Sequence, residues 1–294
     1  MAVIIYMLIY ISVTPSWQDP MPGWVDSLNG PIGLLVGGGK GVIRSMHCRG
    51  DYQAEVVPVD IAINGLISIA WKTGTSKKRE TEIPVYNITS TSVKHITWQE
   101  ILDKGRRLVH ENPFEMTIWY PDGNIRSSKL MHNLCVIFLH FLPAYFIDFL
   151  LFLFRQKRFM VRLQNKIQDG LTVLQYFTTR IWKFRSEKFI SLREELSPHD
   201  QNIFYSDFSK IDNDAYMLDC VLGARQYCLK EPLSSLPRSR RNLKILYVVD
   251  RIWSALFYFM LLGLLVSYSD SARYALDVST TCLKSLPIIK SFMK

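Results

Sequence analysis

The residues with the clearest chemical potential lie in one stretch, Gly33-Leu34-Leu35-Val36-Gly37-Gly38-Gly39-Lys40-Gly41, followed by Arg44. Backbone amides in a glycine-rich turn, with a lysine beside them, are a common way to hold phosphate. Neither standard spacing is met. A P-loop needs a glycine where Leu34 stands and a Ser or Thr where Gly41 stands, and no G-x-G-x-x-G frame fits. The run is therefore expected as a flexible surface segment that uses positive φ or close backbone approach, with amides near Lys40 and Arg44 still open to an anion.

Other catalytic patterns are missing from the chain. His110-Glu111 has no second histidine at the zincin spacing, no G-x-S-x-G occurs, and the six histidines are scattered. No tyrosine is followed by lysine four residues later. Asp60 is expected to cap a helix, and Asp148 is a lone acid in an apolar run that needs a partner, because an unpaired buried carboxylate is costly. Asn87-Ile88-Thr89 has the letters of a glycosylation sequon but falls in an expected sheet strand. The five cysteines form no C-x-x-C pair, which points away from a disulfide framework and a zinc site and towards a reducing compartment. Cys220 and Cys228 share an expected helix at a separation of roughly 12 Å, too far for a disulfide.

These residues must be positioned by about two structural units, the usual division for 294 residues. Hydrophobic residues make up 48% and mean hydropathy lies just above zero, which excludes a disordered chain and suggests partial membrane embedding. The net charge of +9 favours polyanionic partners such as lipid headgroups or phosphate-bearing cofactors. Nucleic acid is set aside, because the cations cluster beside apolar runs and not among a stacking platform.

Residues 1–13 are apolar, with no Lys or Arg before them and no cleavage pattern, so a buried strand is expected in place of a signal peptide. A Pro-, Trp- and Gly-rich loop follows. Two βα units come next: a strand at 56–59 with a helix capped by Asp60, then a strand at 83–89 with a helix whose Thr97-Trp98-Gln99-Glu100 makes a capping box. Alternation of this kind implies the edge of a parallel sheet, with a domain boundary near 112–128. Beyond it, 134–154 is long and apolar enough to cross a bilayer. Arg155, Lys157, Arg158, Arg162 and Lys166 follow it, and basic residues continue to Arg251. Both flanks then favour the cytosol, so this segment is expected to be buried or re-entrant and bent near Pro143, while 252–266 is the better anchor. Amphipathic helices fill 164–231, including one from Asp214 to Leu229 stopped by Pro232.

Read as strings, Val13-Thr14-Pro15-Ser16-Trp17-Gln18-Asp19-Pro20-Met21-Pro22-Gly23-Trp24-Val25-Asp26, Leu28-Asn29-Gly30-Pro31-Ile32-Gly33 and Gly39-Lys40-Gly41-Val42-Ile43-Arg44 resemble alcohol-forming fatty acyl-CoA reductases. Val57-Pro58-Val59-Asp60, Val85-Tyr86-Asn87, Ile96-Thr97-Trp98 and Trp119-Tyr120-Pro121 extend the resemblance, as do Leu222-Gly223-Ala224-Arg225-Gln226-Tyr227 and Lys230-Glu231-Pro232. It covers nearly all of 13–266 and fades upstream of Ser12, where Ile9-Tyr10 replaces the family's Arg-Pro.

The resemblance implies an α/β part, the C-terminal portion of a Rossmann-like extended short-chain reductase domain at 13–115. A mostly α-helical domain at 129–268 would follow, with apolar membrane-associated segments at 134–154 and 252–266. Residues 1–12 would be a divergent start and 269–294 a tail. The family's chemistry is NADPH-dependent reduction of a long-chain fatty acyl-CoA to a fatty alcohol, with a Tyr-x-x-x-Lys pair supplying the proton. This chain has neither that pair nor the dinucleotide fingerprint, so it is expected to be N-terminally truncated and inactive as written. The alternative is a non-catalytic, membrane-bound acyl-CoA-binding or interaction protein derived from the family. By resemblance Trp17, Trp24, Asn29, Lys40 and Arg44 would line the acyl-CoA side, with packing inside the loop as the other role for each Trp. Membrane lipids are implied partners and a homo-oligomer is left open. The implied location is the endoplasmic reticulum or peroxisome membrane, main body in the cytosol.

Overall fold

The computed structural model describes residues 7–9, 12–76, 84–90, 93 and 95–269. Among the described residues six short strands form three parallel pairs: β1 (Met7–Ile9) with β5 (Val85–Asn87), β2 (Val13–Thr14) with β4 (Val57–Pro58), and β3 (Ser45–His47) with β6 (Asn124–Arg126). Each pair joins strands far apart in sequence, as parallel pairing requires, since a crossover must intervene.

Helices provide the crossovers. β4 runs straight into α2 (Val59–Thr75), and β5 precedes α3 (Trp98–Glu111), so both expected βα units are present. Thr97 caps α3 as the sequence indicates: its side chain accepts from the Glu100 amide while Glu100 returns a bond to the Thr97 amide. The α2 cap differs. Pro58 occupies the N-cap position and Asp60 lies inside the first turn, with its carboxylate turned to a loop elsewhere. Half-buried Asn87 ends β5 and the buried Ile88 and Thr89 follow it, with Thr89 bonded to Glu55 and the Asn87 side-chain amide to the Arg185 carbonyl.

The glycine run is also a correction. Residues Pro31–Gly39 form a helix, α1, started by Gly30 at φ 62° and by Pro31, whose fixed φ and missing N–H suit the first helical position. A Cβ at Gly39 would lie 2.6 Å from the Phe114 ring and 3.1 Å from Val109, so this glycine serves close packing against α3 and the segment after it. Positive φ recurs two residues later, at Gly41, which also abuts the Trp119 carbonyl.

After β6 the chain is helical. Ser128 caps α4 (Lys129–Cys135), which passes through a π-helical turn (Val136–Phe141) into α5 (Leu142–Leu153) without interruption. Pro143 falls in the first turn of α5, where its missing N–H is tolerated, and the helix continues through it to Leu153. The wider π turn directly before it takes up the mismatch. Next come α6 (Met160–Thr178), α7 (Glu187–Glu194), α8 (Pro198–Ile203) and α9 (Asn213–Gly223), which Asp212 caps and a second π turn (Ala224–Cys228) extends. The last helix, α10, spans Leu236–Tyr268.

Two compact units result, Met1–Leu243 and Lys244–Lys294. Residues 112–128 are threaded into the first unit through the β3–β6 pair. Its core gathers Val57, Ile61, Ile88, Phe114, Val221 and Ala224, each at most 2% exposed, from strands and from helices on both sides of 112–128. Two helices, Lys129–Leu153 and Leu233–Tyr268, are long and apolar enough to cross a membrane.

Candidate functional site

The loop from Pro15 to Gly30 is fixed at three points. The Asp60 carboxylate accepts the backbone N–H groups of Trp17, Gln18 and Asp19 at 2.8 to 3.2 Å, and the Tyr205 hydroxyl donates to it at 2.6 Å. A carboxylate receiving several amides in a nearly buried position is fully satisfied, which explains an acid where a cap was expected. The Tyr216 hydroxyl donates to the Pro15 carbonyl at 2.6 Å and lies 2.7 Å from the Thr14 hydroxyl. At the third point Gly23 and Gly223 meet backbone to backbone: a Cβ on Gly223 would lie 1.8 Å from the Gly23 carbonyl oxygen. Burial and then Asp60 push the Tyr205 hydroxyl well above its ordinary pKa, and burial does the same to Tyr216. Both therefore stay protonated as structural donors.

The five residues implied by the resemblance have separate environments. Trp17 packs edge-on against the Tyr205 ring at 5.5 Å. Trp24 closes the loop through backbone bonds to Ser16 and Met21, and Asn29 is exposed beside Ser27. Lys40 is engaged: its ammonium donates to Glu231 and to the Glu115 carbonyl, both at 2.9 Å. The Arg44 guanidinium lies over the Trp119 ring at 5.6 Å, and its backbone N–H donates to His140. None of the five lines either cavity described below.

Lys40 belongs to a network that single-residue reasoning missed. Arg225, fully buried, donates to the Pro113 carbonyl and the Ser235 hydroxyl and lies 3.4 Å from Glu231 and 3.7 Å from Glu115. Glu231 also accepts the Glu115 amide at 2.8 Å. A buried guanidinium is tolerated only when paired and hydrogen-bonded on this scale. The signal was in the sequence: the one basic residue of the 213–228 helix follows a Gly-Ala step, with an acid six residues on.

Two apolar cavities flank α1. The first, of about 130 Å³, runs from Thr14 and Pro15 to Phe208, Tyr216 and Met217; the second, of about 160 Å³, runs from Gly38 and Met46 to Gly105 and Ile125. They share Pro31, Leu35, Trp98 and Ile101 as common walls. Among the described residues no group of three His, Cys, Asp or Glu converges on a possible metal position. The glycine run offers no pyrophosphate cradle, because Gly37 and Gly39 are filled by Ile43, Phe114 and Val109.

Comparison with known proteins agrees with this geometry. The family described as Male sterility protein matches twice, through its NAD-binding part over residues 1–66 and its Sterile part over residues 139–231. Mouse fatty acyl-CoA reductase 2 is 31% identical over 261 residues, which is 89% of this chain and 50% of the relative. The human reductase 2 is 30% identical over the same share, and a putative fatty acyl-CoA reductase of Drosophila melanogaster is 28% identical over 95% of this chain. The chain spans about half the length of these curated relatives. The first part is accordingly Rossmann-like, of a kind that uses a nicotinamide dinucleotide, and the strings around Gly23, Asp60 and Gly223 are what clamp it to the helical part. The chain belongs to the fatty acyl-CoA reductase family.

Proposed function

We propose that this chain forms the acyl-holding side of a long-chain fatty acyl-CoA reductase, and that the two cavities flanking α1 take the acyl chain. The observation that carries the reading is their shared wall of Pro31, Leu35, Trp98 and Ile101, which sets two apolar spaces side by side next to the clamped loop. An apolar cleft with little polar lining suits a hydrocarbon chain, each buried methylene contributing ~0.8 kcal/mol. In the complete reaction NADPH is the proposed hydride donor, held by a dinucleotide fold that the described residues do not complete. The proposed setting is a membrane of the endoplasmic reticulum or peroxisome with the body in the cytosol, supported by the two long apolar helices and the basic residues between 155 and 251. The packed glycine run and the missing Tyr-x-x-x-Lys favour a second reading, an acyl-CoA-binding protein without catalysis.

The test uses the full chain in detergent with a fluorescent long-chain acyl-CoA as probe. Unlabelled long-chain acyl-CoA displaces it, and free coenzyme A does not. Gly105→Phe, at a buried glycine whose nearest side chains are Leu35 at 3.8 Å and Met217 at 3.9 Å, fills the space between the cavities. It weakens long-chain binding by roughly tenfold or more while short-chain binding is unchanged. Equal displacement by coenzyme A alone, or no effect of Gly105→Phe in a folded variant, overturns the assignment.

A further inference from the structure

Along the helix Lys129–Leu153 the two faces differ completely. His132, His140, Ala144 and Asp148 are buried on one side; Ile137, Phe138, Leu142, Phe146, Phe149 and Phe152 are each more than half exposed on the other. A regular helix would rotate by ~160° between positions 132 and 148, separating those buried residues, and the extra residue of the π turn takes back ~100°. The π turn thus gathers three polar side chains onto one stripe.

That stripe is bonded to the body at both ends. The His140 Nε2 accepts the N–H groups of Arg44 and Ser45 at 2.9 and 3.1 Å, and His132 Nδ1 lies 2.9 Å from the Ser45 hydroxyl. Asp148 accepts the amides of Phe159, Met160 and Val161 at 2.9 to 3.0 Å, capping α6. Gln168 on α6 reaches the His140 ring at 2.8 Å. A helix crossing the bilayer would carry these partners into hydrocarbon, together with the exposed Arg162, Asn165, Lys166 and Asp169 of α6. Beyond the apolar face stand Arg155, Lys157, Arg158, Arg162 and Lys166, all exposed and none within 4 Å of a carboxylate among the described residues.

We infer that this helix lies in the plane of an anionic membrane surface, with the Phe138–Phe149 side immersed and the cations beyond Phe154 on lipid phosphates. An in-plane amphipathic helix enters roughly 5–10 Å, and Lys and Arg at its rim add attraction to anionic lipid. A protein partner fits less well, because protein interfaces carry about one hydrogen bond per 100–200 Å² and between Ile137 and Phe152 the exposed face offers only the Tyr145 hydroxyl. The inference deepens the membrane setting proposed above. Its test measures depth and sidedness, so failure of the reductase reading leaves it standing.

The full chain is placed in vesicles containing anionic lipid, with Cys135, Cys228 and Cys282 replaced by serine. An environment-sensitive fluorophore is attached at Phe138→Cys or Phe149→Cys. Both emissions shift to the blue, and lipids brominated near the headgroup quench them more than lipids brominated at the chain end. Separately, Lys129→Cys and Lys157→Cys both react with an impermeant maleimide added outside. Protection of one of that pair means a span, and water-like emission means a bare surface. A blue shift that no brominated lipid quenches means a protein partner. Each of these three results overturns the inference.

Discussion

A Cβ at Gly223 would meet the backbone oxygen of Gly23, which no rotamer change relieves, whereas a Cβ at Gly38 meets nothing within 4 Å. Gly223→Ala is therefore expected to cost about 3 kcal/mol or more, or to abolish folding. Gly38→Ala, in the last turn of α1, is expected to stabilise by ~0.4–1 kcal/mol, because alanine loses less backbone freedom in a helix. Thermal unfolding of the two variants in detergent separates close packing from flexibility as the reason for these glycines. Cysteine chemistry offers a second check. Burial pushes the thiols of Cys48 and Cys220 up to about 12. At pH 8 both are expected to resist iodoacetamide in the native chain and to react after denaturation, as mass spectrometry of the alkylated peptides will show. The folded pKa values lie above the unfolded value, so these groups leave stability unchanged below pH ~8.5 and diminish it as pH rises from there towards 12.

At the scale of elements, local chemistry decided α3 and tertiary contact decided α1 and α2. The Thr97 box satisfies two otherwise orphaned amides, so Thr97→Ala is expected to cost ~1 kcal/mol, read as a lowered unfolding midpoint. Asp60 has a different partner set, and its neutralisation acts at a distance. Asp60→Asn removes the charge that binds three loop amides and Tyr205, and it is expected to expose the 16–20 segment to limited proteolysis while α2 persists by circular dichroism. Loss of α2 instead would mean that Asp60 acts as the cap its sequence position suggested. The βα alternation, the Thr97 cap and the stop near Asn112 were all legible, since each is set within a few residues. The helical state of the glycine run was not, because its glycines are selected by Phe114, Val109 and Ile43, which the sequence alone cannot bring beside them.

For the whole molecule, the chain expressed as written is expected to form no fatty alcohol from long-chain acyl-CoA and NADPH. Hydride transfer needs the nicotinamide held against the thioester carbonyl, and a positioned proton donor is typically worth ~10² to 10⁴-fold. The Tyr-x-x-x-Lys pair is missing from the sequence, Gly37 and Gly39 of the glycine run are closed by Ile43, Phe114 and Val109, and the tyrosines at 205 and 216 are tied to Asp60 and Pro15. The check is fatty alcohol by mass spectrometry against a heat-killed control; alcohol above that control would mean that a different constellation performs the chemistry.

Composition, periodicity and recurring strings by themselves determined the family, the alternation of strands and helices, and the two long apolar helices, because each is a property of neighbouring residues. Tertiary structure alone decided what the polar residues do. Lys40, available for phosphate by spacing, is held by Glu231; Asp60, placed to cap, organises a loop 41 to 43 residues away; Asp148, alone in an apolar run, caps α6. The physical reason is the same in each case. A buried charge is stable only where donors or counter-charges converge on it, and those partners come from distant parts of the chain, whose approach is fixed by packing of the core and not by any local pattern.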